Sequence, residues 1–413
     1  MDLDISQKIS ENSGLGTITK SHSPFAQMPC PVDVSRVKDF LLQDLASKVL
    51  QKKFRVQFCL KRKIDKNNLV NVCFNESTSK AHYGNVIRCG SVWVCPVCAK
   101  KITEHRRTEL KNINTMWKNG ITLYVPEKMD ENFIGPPIHH AKDVKGFTYL
   151  LTLTSPHYAY QNLSLLRERM TKAKDLFFGG KKNSSLFQKQ LGKIFHVTNL
   201  EVTYGQNGWH PHFHVLLLGY FSLDDLMYRD LLAELWIKSC VRAGLNAPSM
   251  THGLDLRDGT YADQYVSKWG IESELTKGHV KKGRNGGFTP FDLLQFSMYN
   301  ESVFDKDCGK LFQEFAIAMK GSRQLVWSRG LKALLELDEK TDEELAEETE
   351  KDAITLRTID DFIFSLICHY QKRWDFLRCL ERDYENGCFG TGETEQLLID
   401  ILEKEHTRLG IAS

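Results

Sequence analysis

Two imidazoles one residue apart, at the head of an apolar run, offer this chain its clearest chemistry. The segment Gly208-Trp209-His210-Pro211-His212-Phe213-His214-Val215-Leu216-Leu217-Leu218 reads as a β-strand, on which alternate side chains share a face. His212 and His214 then point the same way and Phe213 points into a core. Two neutral imidazoles make half of a metal site, and a further ligand must come from elsewhere. About fifty residues later stands Tyr261-Ala262-Asp263-Gln264-Tyr265-Val266-Ser267-Lys268-Trp269. Tyr261, Tyr265 and Lys268 fall at i, i+4 and i+7, a single stripe on a helix. A phenol with a pKa near 10 is a poor nucleophile at neutral pH. A nearby lysine, or a metal that polarises the electrophile, makes it competent. Each feature alone also has a plain structural role: His-x-His can arise by chance among 14 histidines, and paired tyrosines can simply be buried by an amphipathic helix.

A second cluster is built from thiols. In Cys89-Gly90-Ser91-Val92-Trp93-Val94-Cys95-Pro96-Val97-Cys98, a Cys-x-x-Cys knuckle follows a third cysteine at a spacing that suits structural zinc. One more ligand would complete a tetrahedron. Cys73 is the first choice for it, with His82, His105 and Cys59 as rivals. A redox Cys-x-x-Cys is the alternative, but no thioredoxin-like βαβ pattern surrounds it. The following Lys100-Lys101-Ile102-Thr103-Glu104-His105-Arg106-Arg107 is basic enough to touch DNA.

The elements that must position these residues are partly legible. Residues 1–34 read as a polar, flexible leader, and Val37 to Leu60 has helical periodicity. The Cys-rich stretch and a helix from about Ala99 to Trp117 complete a region over 35–124. Val125 to Gly146, with Gly135-Pro136-Pro137, reads as a loop and boundary. Beyond it a mixed pattern predicts a strand at 147–154, a helix at 162–178, strands near 194–204 and 210–219, and helices at 222–243 and 258–270. After about residue 330 the chain reads as almost entirely helical.

Charge is distributed unevenly. Residues 331–413 carry 10 Lys/Arg against 21 Asp/Glu, whereas residues 1–330 carry 45 against 31 and hold all the motifs. A body with net charge +14 suits a polyanionic partner. The acidic run from Glu336 to Asp352 would repel nucleic acid, contact a partner, or stand as a solvated helix or linker. No apolar run reaches membrane-spanning length, and the start lacks the order of a signal peptide. Eleven unevenly spaced cysteines fit reduced thiols better than a disulfide framework. The expectation is a cytoplasmic protein without a membrane partner.

Taken in order, the motifs resemble those of the HUH endonuclease superfamily, and specifically the two-tyrosine rolling-circle replication initiators of small plasmids and phages. Phe147-Thr148-Tyr149-Leu150-Leu151-Thr152-Leu153-Thr154 resembles the first motif of that family, the His-Phe-His segment the second, and Tyr261 to Trp269 the third. The resemblance covers roughly 145–330. It implies an α+β fold, a ferredoxin-like or RRM-like antiparallel-sheet catalytic core, preceded here by a zinc-binding module and followed by an acidic helical region over 331–413. It also implies a third metal ligand, an acid or polar residue on an adjacent strand. Glu201 is the candidate, because the Gln206-Asn207-Gly208 turn would lay it beside the histidine strand. Such mixed ligation suits Mg²⁺ or Mn²⁺ with positions open to phosphate. His210 shares the strand parity, but Pro211 can bend the strand, so it is assigned a supporting place.

The resemblance further implies site-specific nicking and rejoining of origin DNA, single-stranded or cruciform, in a prokaryotic cytoplasm. Tyr265 would be the principal nucleophile, Tyr261 the second, and Lys268 the group that orients the phosphate. Lys277, Lys281, Lys282 and Arg284 would form a phosphate-contacting loop. No Gly-x-x-x-x-Gly-Lys-Ser/Thr loop occurs, so helicase and polymerase would come from the host; the oligomeric state is left open, a dimer being the state considered. Three other readings stay open: a two-tyrosine HUH transposase, a zinc-dependent DNA-binding regulator without catalysis, and an His-x-His metallohydrolase acting on a small substrate.

Overall fold

A computed structural model describes residues 34–126, 139–144, 146–179, 194–219, 222–223, 226–259, 287–335, 337, 340–347 and 353–410. The helices are α1 (Val34–Leu50), α2 (Pro96–Asn119), α3 (Leu163–Gly179), α4 (Leu226–Ala243), α5 (Pro290–Ser297), α6 (Cys308–Met319), α7 (Leu331–Leu334), α8 (Asp342–Glu347), α9 (Asp361–His369), α10 (Arg373–Asn386) and α11 (Glu393–Leu409). The strands are β1 (Val70–Asn75), β2 (Lys80–Gly84), β3 (Ile121–Pro126), β4 (His139–Val144), β5 (Phe147–Leu153), β6 (Phe195–Gly205), β7 (Gly208–Gly219), β8 (Leu254–Asp258), β9 (Ser302–Val303), β10 (Lys306–Asp307), β11 (Leu325–Trp327) and β12 (Ala353–Ile359).

The central sheet is antiparallel, in the order β11-β6-β7-β5-β8. Along the chain its core is strand, helix, two hairpin-linked strands, helix, strand: β5-α3-β6-β7-α4-β8. β7 lies in the interior of the sheet because it carries seven consecutive buried residues, Phe213 to Gly219, so both of its faces need cover. On one face Leu216, Leu218, Leu150, Val197 and Phe195 pack under Leu110, Ile113 and Trp117 of α2. On the other, α3 and α4 lie against the sheet. The α3 stripe Leu163, Leu166, Met170, Ala173, Phe177 is buried, and Phe177 meets Trp236 of α4 edge-on at 5.8 Å.

α2 starts where Cys95 caps it in an extended conformation and Pro96 supplies a preset φ at N1,. Its basic face does not all look to solvent. Arg106 is buried and pairs with Asp342 at 2.9 Å, which seats α8, part of the acidic run, on α2. Within that run, the described segment 342–347 is therefore held against α2 and is not wholly solvated.

Three other expectations change. The helix expected to reach Leu60 ends at Leu50, followed by short 3₁₀ turns at Gln51–Lys53 and Arg55–Phe58. The stretch taken for a loop at 125–146 contains β4, paired with β3. The region after 330 is not almost entirely helical, since β12 pairs with β1, which in turn pairs with β2. The β-branched residues Ile354, Thr355, Thr358 and Ile359 favour that extended state. Among the described residues, no helix is long and apolar enough to cross a membrane.

Candidate metal centres and the site beside them

The hairpin β6–β7 turns at Gln206-Asn207, with Gly208 at φ +83°. Its register sets Glu201 opposite His212 and Asn199 opposite His214, and directly opposed residues in an antiparallel pair share a face. Glu201 Oε2 lies 2.8 Å from His214 Nε2 and 3.2 Å from His212 Nε2. The strand tolerates Pro211 because β5, its neighbour on the other side, ends at Leu153 opposite Phe213; beyond that point Pro211 owes no ladder bond on that side.

The surroundings fix the rings. Thr152 Oγ1 lies 3.3 Å from His214 Nδ1, which leaves Nε2 for Glu201 or for a metal. His210 stays outside the trio and stacks on His157 at 4.4 Å and 15°. Burial would raise the Glu201 carboxyl, but hydrogen bonds and charge from His212 and His214 outweigh it and hold the group well below the usual carboxylate range. Burial, followed by the charges of His212 and His157, pushes His210 down to about 3. Burial also lowers His214, against the opposing pull of Glu201. The site therefore favours an anionic Glu201 carboxylate and, at His214, the neutral imidazole, the protonation states a metal ligand requires,.

Donors at 2.0–2.1 Å from an octahedral cation sit about 3 Å apart; the two Glu201–imidazole separations, 3.2 and 2.8 Å, match, and all three donor atoms lie within 4.8 Å of one another. The Nδ1 of His212 is buried without a hydrogen-bond partner among the described residues, so its Nε2 is the nitrogen turned to the shared centre. Three donors on a strand pair leave positions open, and the Glu201 side chain remains 39 % exposed. The group can hold a metal ion.

The thiol cluster is closed instead. Cys59, Cys89, Cys95 and Cys98 are all buried, with Sγ–Sγ distances of 3.5 Å (Cys59–Cys98), 3.7 Å (Cys89–Cys98) and 3.7 Å (Cys59–Cys95). Four sulfurs at 2.3 Å from a tetrahedral zinc stand about 3.8 Å apart, so the residues present fit that ion. Cys73 is not among them. It lies on β1, where its Sγ meets Thr355 Oγ1 of β12 at 3.8 Å, and the fourth place is taken by its rival Cys59. His82 and His105 also fall outside the cluster. Around the sulfurs, Gln43 Nε2 donates to Cys95 Sγ at 3.1 Å and the Cys89 amide to Cys59 Sγ at 3.4 Å.

The support extends to α10. Arg373, 1 % exposed, donates to Gln43 Oε1 (2.7 Å), Asp44 Oδ1 (2.6 Å) and the Cys59 carbonyl (3.2 Å). Sequence reading had no means to find this residue, which lies 314 positions from Cys59. It also missed β8, where Asp255 stands opposite Thr152 in the row that contains His214. Tyr261, Tyr265, Lys268, Lys277, Lys281, Lys282 and Arg284, with nearly all of the helix expected at 258–270, lie outside the described residues.

The chain is similar to "Protein rep" of Streptomyces lividans, 26 % identical over 298 residues, or 61 % of this chain and 64 % of that protein. It is also similar to a "Neomycin resistance protein" of Streptomyces cyanogenus, 24 % identical over 159 residues, 32 % of this chain and 30 % of that one. It thus spans less than two thirds of each. No family model matches. No solved structure matches either.

Proposed function

We propose that this chain is a rolling-circle replication initiator that nicks and rejoins one strand of origin DNA through a phosphotyrosine. The observation that carries the reading is the convergence of His212, His214 and Glu201 on one face of an antiparallel sheet whose core runs strand-helix-strand-strand-helix-strand. This connectivity and strand order are those of a ferredoxin-like unit, and we read it as the HUH palm. The similarity to a protein named for replication supports the same conclusion. The second relative's name supplies no competing chemistry for this site, and that match covers 32 % of the chain.

In this reading the Tyr265 phenolate attacks the scissile phosphorus. The bond to the 3′-oxygen breaks, and a 5′-phosphotyrosine and a free 3′-hydroxyl result. His212, His214 and Glu201 would hold a divalent cation, Mg²⁺ or Mn²⁺, whose positive charge would polarise the phosphate. Glu201 stays anionic to hold that centre, and Thr152 keeps His214 turned toward it. Tyr261 serves the second cleavage after one circuit, Lys268 orients the phosphate, and Lys281, Lys282 and Arg284 contact flanking phosphates. The freed 3′-hydroxyl then attacks the phosphotyrosine and restores the phosphodiester. Zinc at Cys59, Cys89, Cys95 and Cys98 is structural. Helicase and polymerase are supplied by the host.

The test is a covalent-capture assay on a random single-stranded DNA pool with Mn²⁺. Wild-type protein should retain a strand through denaturant, and Tyr261→Phe plus Tyr265→Phe should retain none. Loss only in the double variant would make the two tyrosines interchangeable. Absence of any adduct with wild type would leave the non-catalytic DNA-binding regulator as the better reading.

A further inference from the structure

The β5–α3 connection, Ser155-Pro156-His157-Tyr158-Ala159-Tyr160, supplies no metal ligand, yet it is built against the metal trio through His157. His157 stacks on His210 at 4.4 Å, and His210 is 5.1 Å from the His212 ring. A tight turn follows, in which the Tyr158 amide donates to Gln161 Oε1 at 2.8 Å and the Gln161 amide to the Tyr158 carbonyl at 2.9 Å. The turn is pressed onto the hairpin that carries the histidines. A Cβ at Gly208 would fall 2.8 Å from Ala159 Cα, so the approach needs glycine there. The turn thus presents two tyrosines, Tyr158 and Tyr160, with rings 5.7 Å apart and within 8° of parallel.

Those rings are 43 % and 84 % exposed, although aromatic rings ordinarily gain their stabilisation from burial. A parallel pair held beside a charged site, with one ring almost wholly in solvent, is what a stacking partner requires. We infer that Tyr158 and Tyr160 form a platform on which bases of single-stranded DNA stack while the adjoining phosphate sits at Glu201, His212 and His214. The inference rests on the single-strand nicking reading and deepens it by naming what holds the strand beside the scissile step. Two ring-to-ring steps, 5.1 and 4.4 Å, lead from His212 through His210 to His157, the residue that precedes Tyr158. Every base has a π-face, so the platform positions the strand without reading its sequence.

The test uses the full chain with Mn²⁺ and a thymidine oligonucleotide carrying one 2-aminopurine, whose fluorescence is quenched on stacking. Wild type should bind and quench. Tyr160→Ala should weaken binding by about 5- to 100-fold and relieve the quench, with Tyr158→Ala acting in the same direction. Tyr158→Phe plus Tyr160→Phe should bind within twofold of wild type, because the ring face and not the hydroxyl makes the contact. The dependence of affinity on salt should not change, since no phosphate contact is lost. The platform is overturned if Tyr160→Ala binds within twofold of wild type, if the double Phe variant loses as much as the Ala variants, or if wild type does not bind at all. Its failure is separable from that of the nicking reading. A wild type that quenches the probe but never forms an adduct overturns nicking alone, and an adduct-forming wild type matched in affinity by Tyr160→Ala overturns the platform alone.

Discussion

Among the described residues stand two groups of ligand side chains that differ in almost every physical respect. The Cys59, Cys89, Cys95 and Cys98 group is drawn from a 3₁₀ turn, a loop and the start of a helix, has four donors, and is fully buried. The Glu201, His212 and His214 group comes from one strand pair, has three donors, and keeps a half-buried carboxylate that solvent still reaches. A closed tetrahedron has nothing to offer a substrate and everything to offer the fold, whereas an incomplete shell on a rigid sheet does the reverse. The supporting residues follow the same division. Gln43 and Arg373 tie the thiols to α1 and α10, while Thr152 and the hairpin register merely aim the imidazoles.

The sharpest way to break this contrast is to remove one donor from the closed group. Cys59→Ser should abolish stoichiometric zinc and cost on the order of 10 kcal/mol of linked folding energy, read as lost metal in elemental analysis and a collapsed melting transition. Cys73→Ser should leave the zinc content intact, and equal zinc in both variants would return the fourth place to dispute. Next comes the arginine behind the thiols. Arg373→Met leaves Asp44 with Lys61 as its ion-pair partner but removes the donor to Gln43 and the Cys59 carbonyl, and should cost roughly 1–3 kcal/mol in urea unfolding, without altering Mn²⁺ affinity at the other centre. The open group should behave oppositely. Glu201→Ala is expected to lower nicking at least about 100-fold while changing unfolding free energy by less than about 1 kcal/mol; a large loss of stability would mean the trio is structural after all.

The smallest effect concerns pH. Burial holds His196 and His210 down to about 3 in the folded chain, against about 6.5 when unfolded. The unfolded state therefore binds more protons between those values, and stability falls as pH drops from 6.5 toward 3. Melting temperatures across that window should decline steadily. His196→Phe, which keeps the ring stacked on Phe178, should flatten the slope, and an unchanged slope would clear His196 of the effect.

How much of this was legible in the sequence depended on how local the cause was. β5, α3, β6, β7 and α4 fall close to their expected bounds because a period of two or 3.6 residues is written into each segment. Glu201 could be laid beside the histidine strand because the resemblance implies a ligand on an adjacent strand and the Gln-Asn-Gly turn supplies the hairpin; its place opposite His212 came from the structure. Cys59 lost to Cys73 on sequence proximity alone, since nothing near residue 59 announces that its sulfur meets Cys95 and Cys98 across a loop. β12 carries β-branched residues that favour a strand, but it follows an acidic run that drew the whole region toward helix. Its partner β1 is nearly 300 residues away, and a pairing of that span leaves no mark in any short window. Asp342 was similarly hidden, because a carboxylate in an acidic run looks solvated until its arginine is found.

The reach of Arg373 back to Gln43, Asp44 and Cys59 has a consequence for how the protein is made. With 314 residues between Cys59 and Arg373, a ribosome adding 5–20 residues per second needs about 15 to 60 s to deliver the arginine after the first cysteine. Throughout that interval the thiols lack one of their buried supports, and β1 lacks its β12 neighbour. The part of the molecule built first is therefore finished last. During synthesis it is the stretch most dependent on early zinc capture or on a chaperone, whereas the β6–β7 hairpin can close as soon as its dozen or so local pairings have emerged.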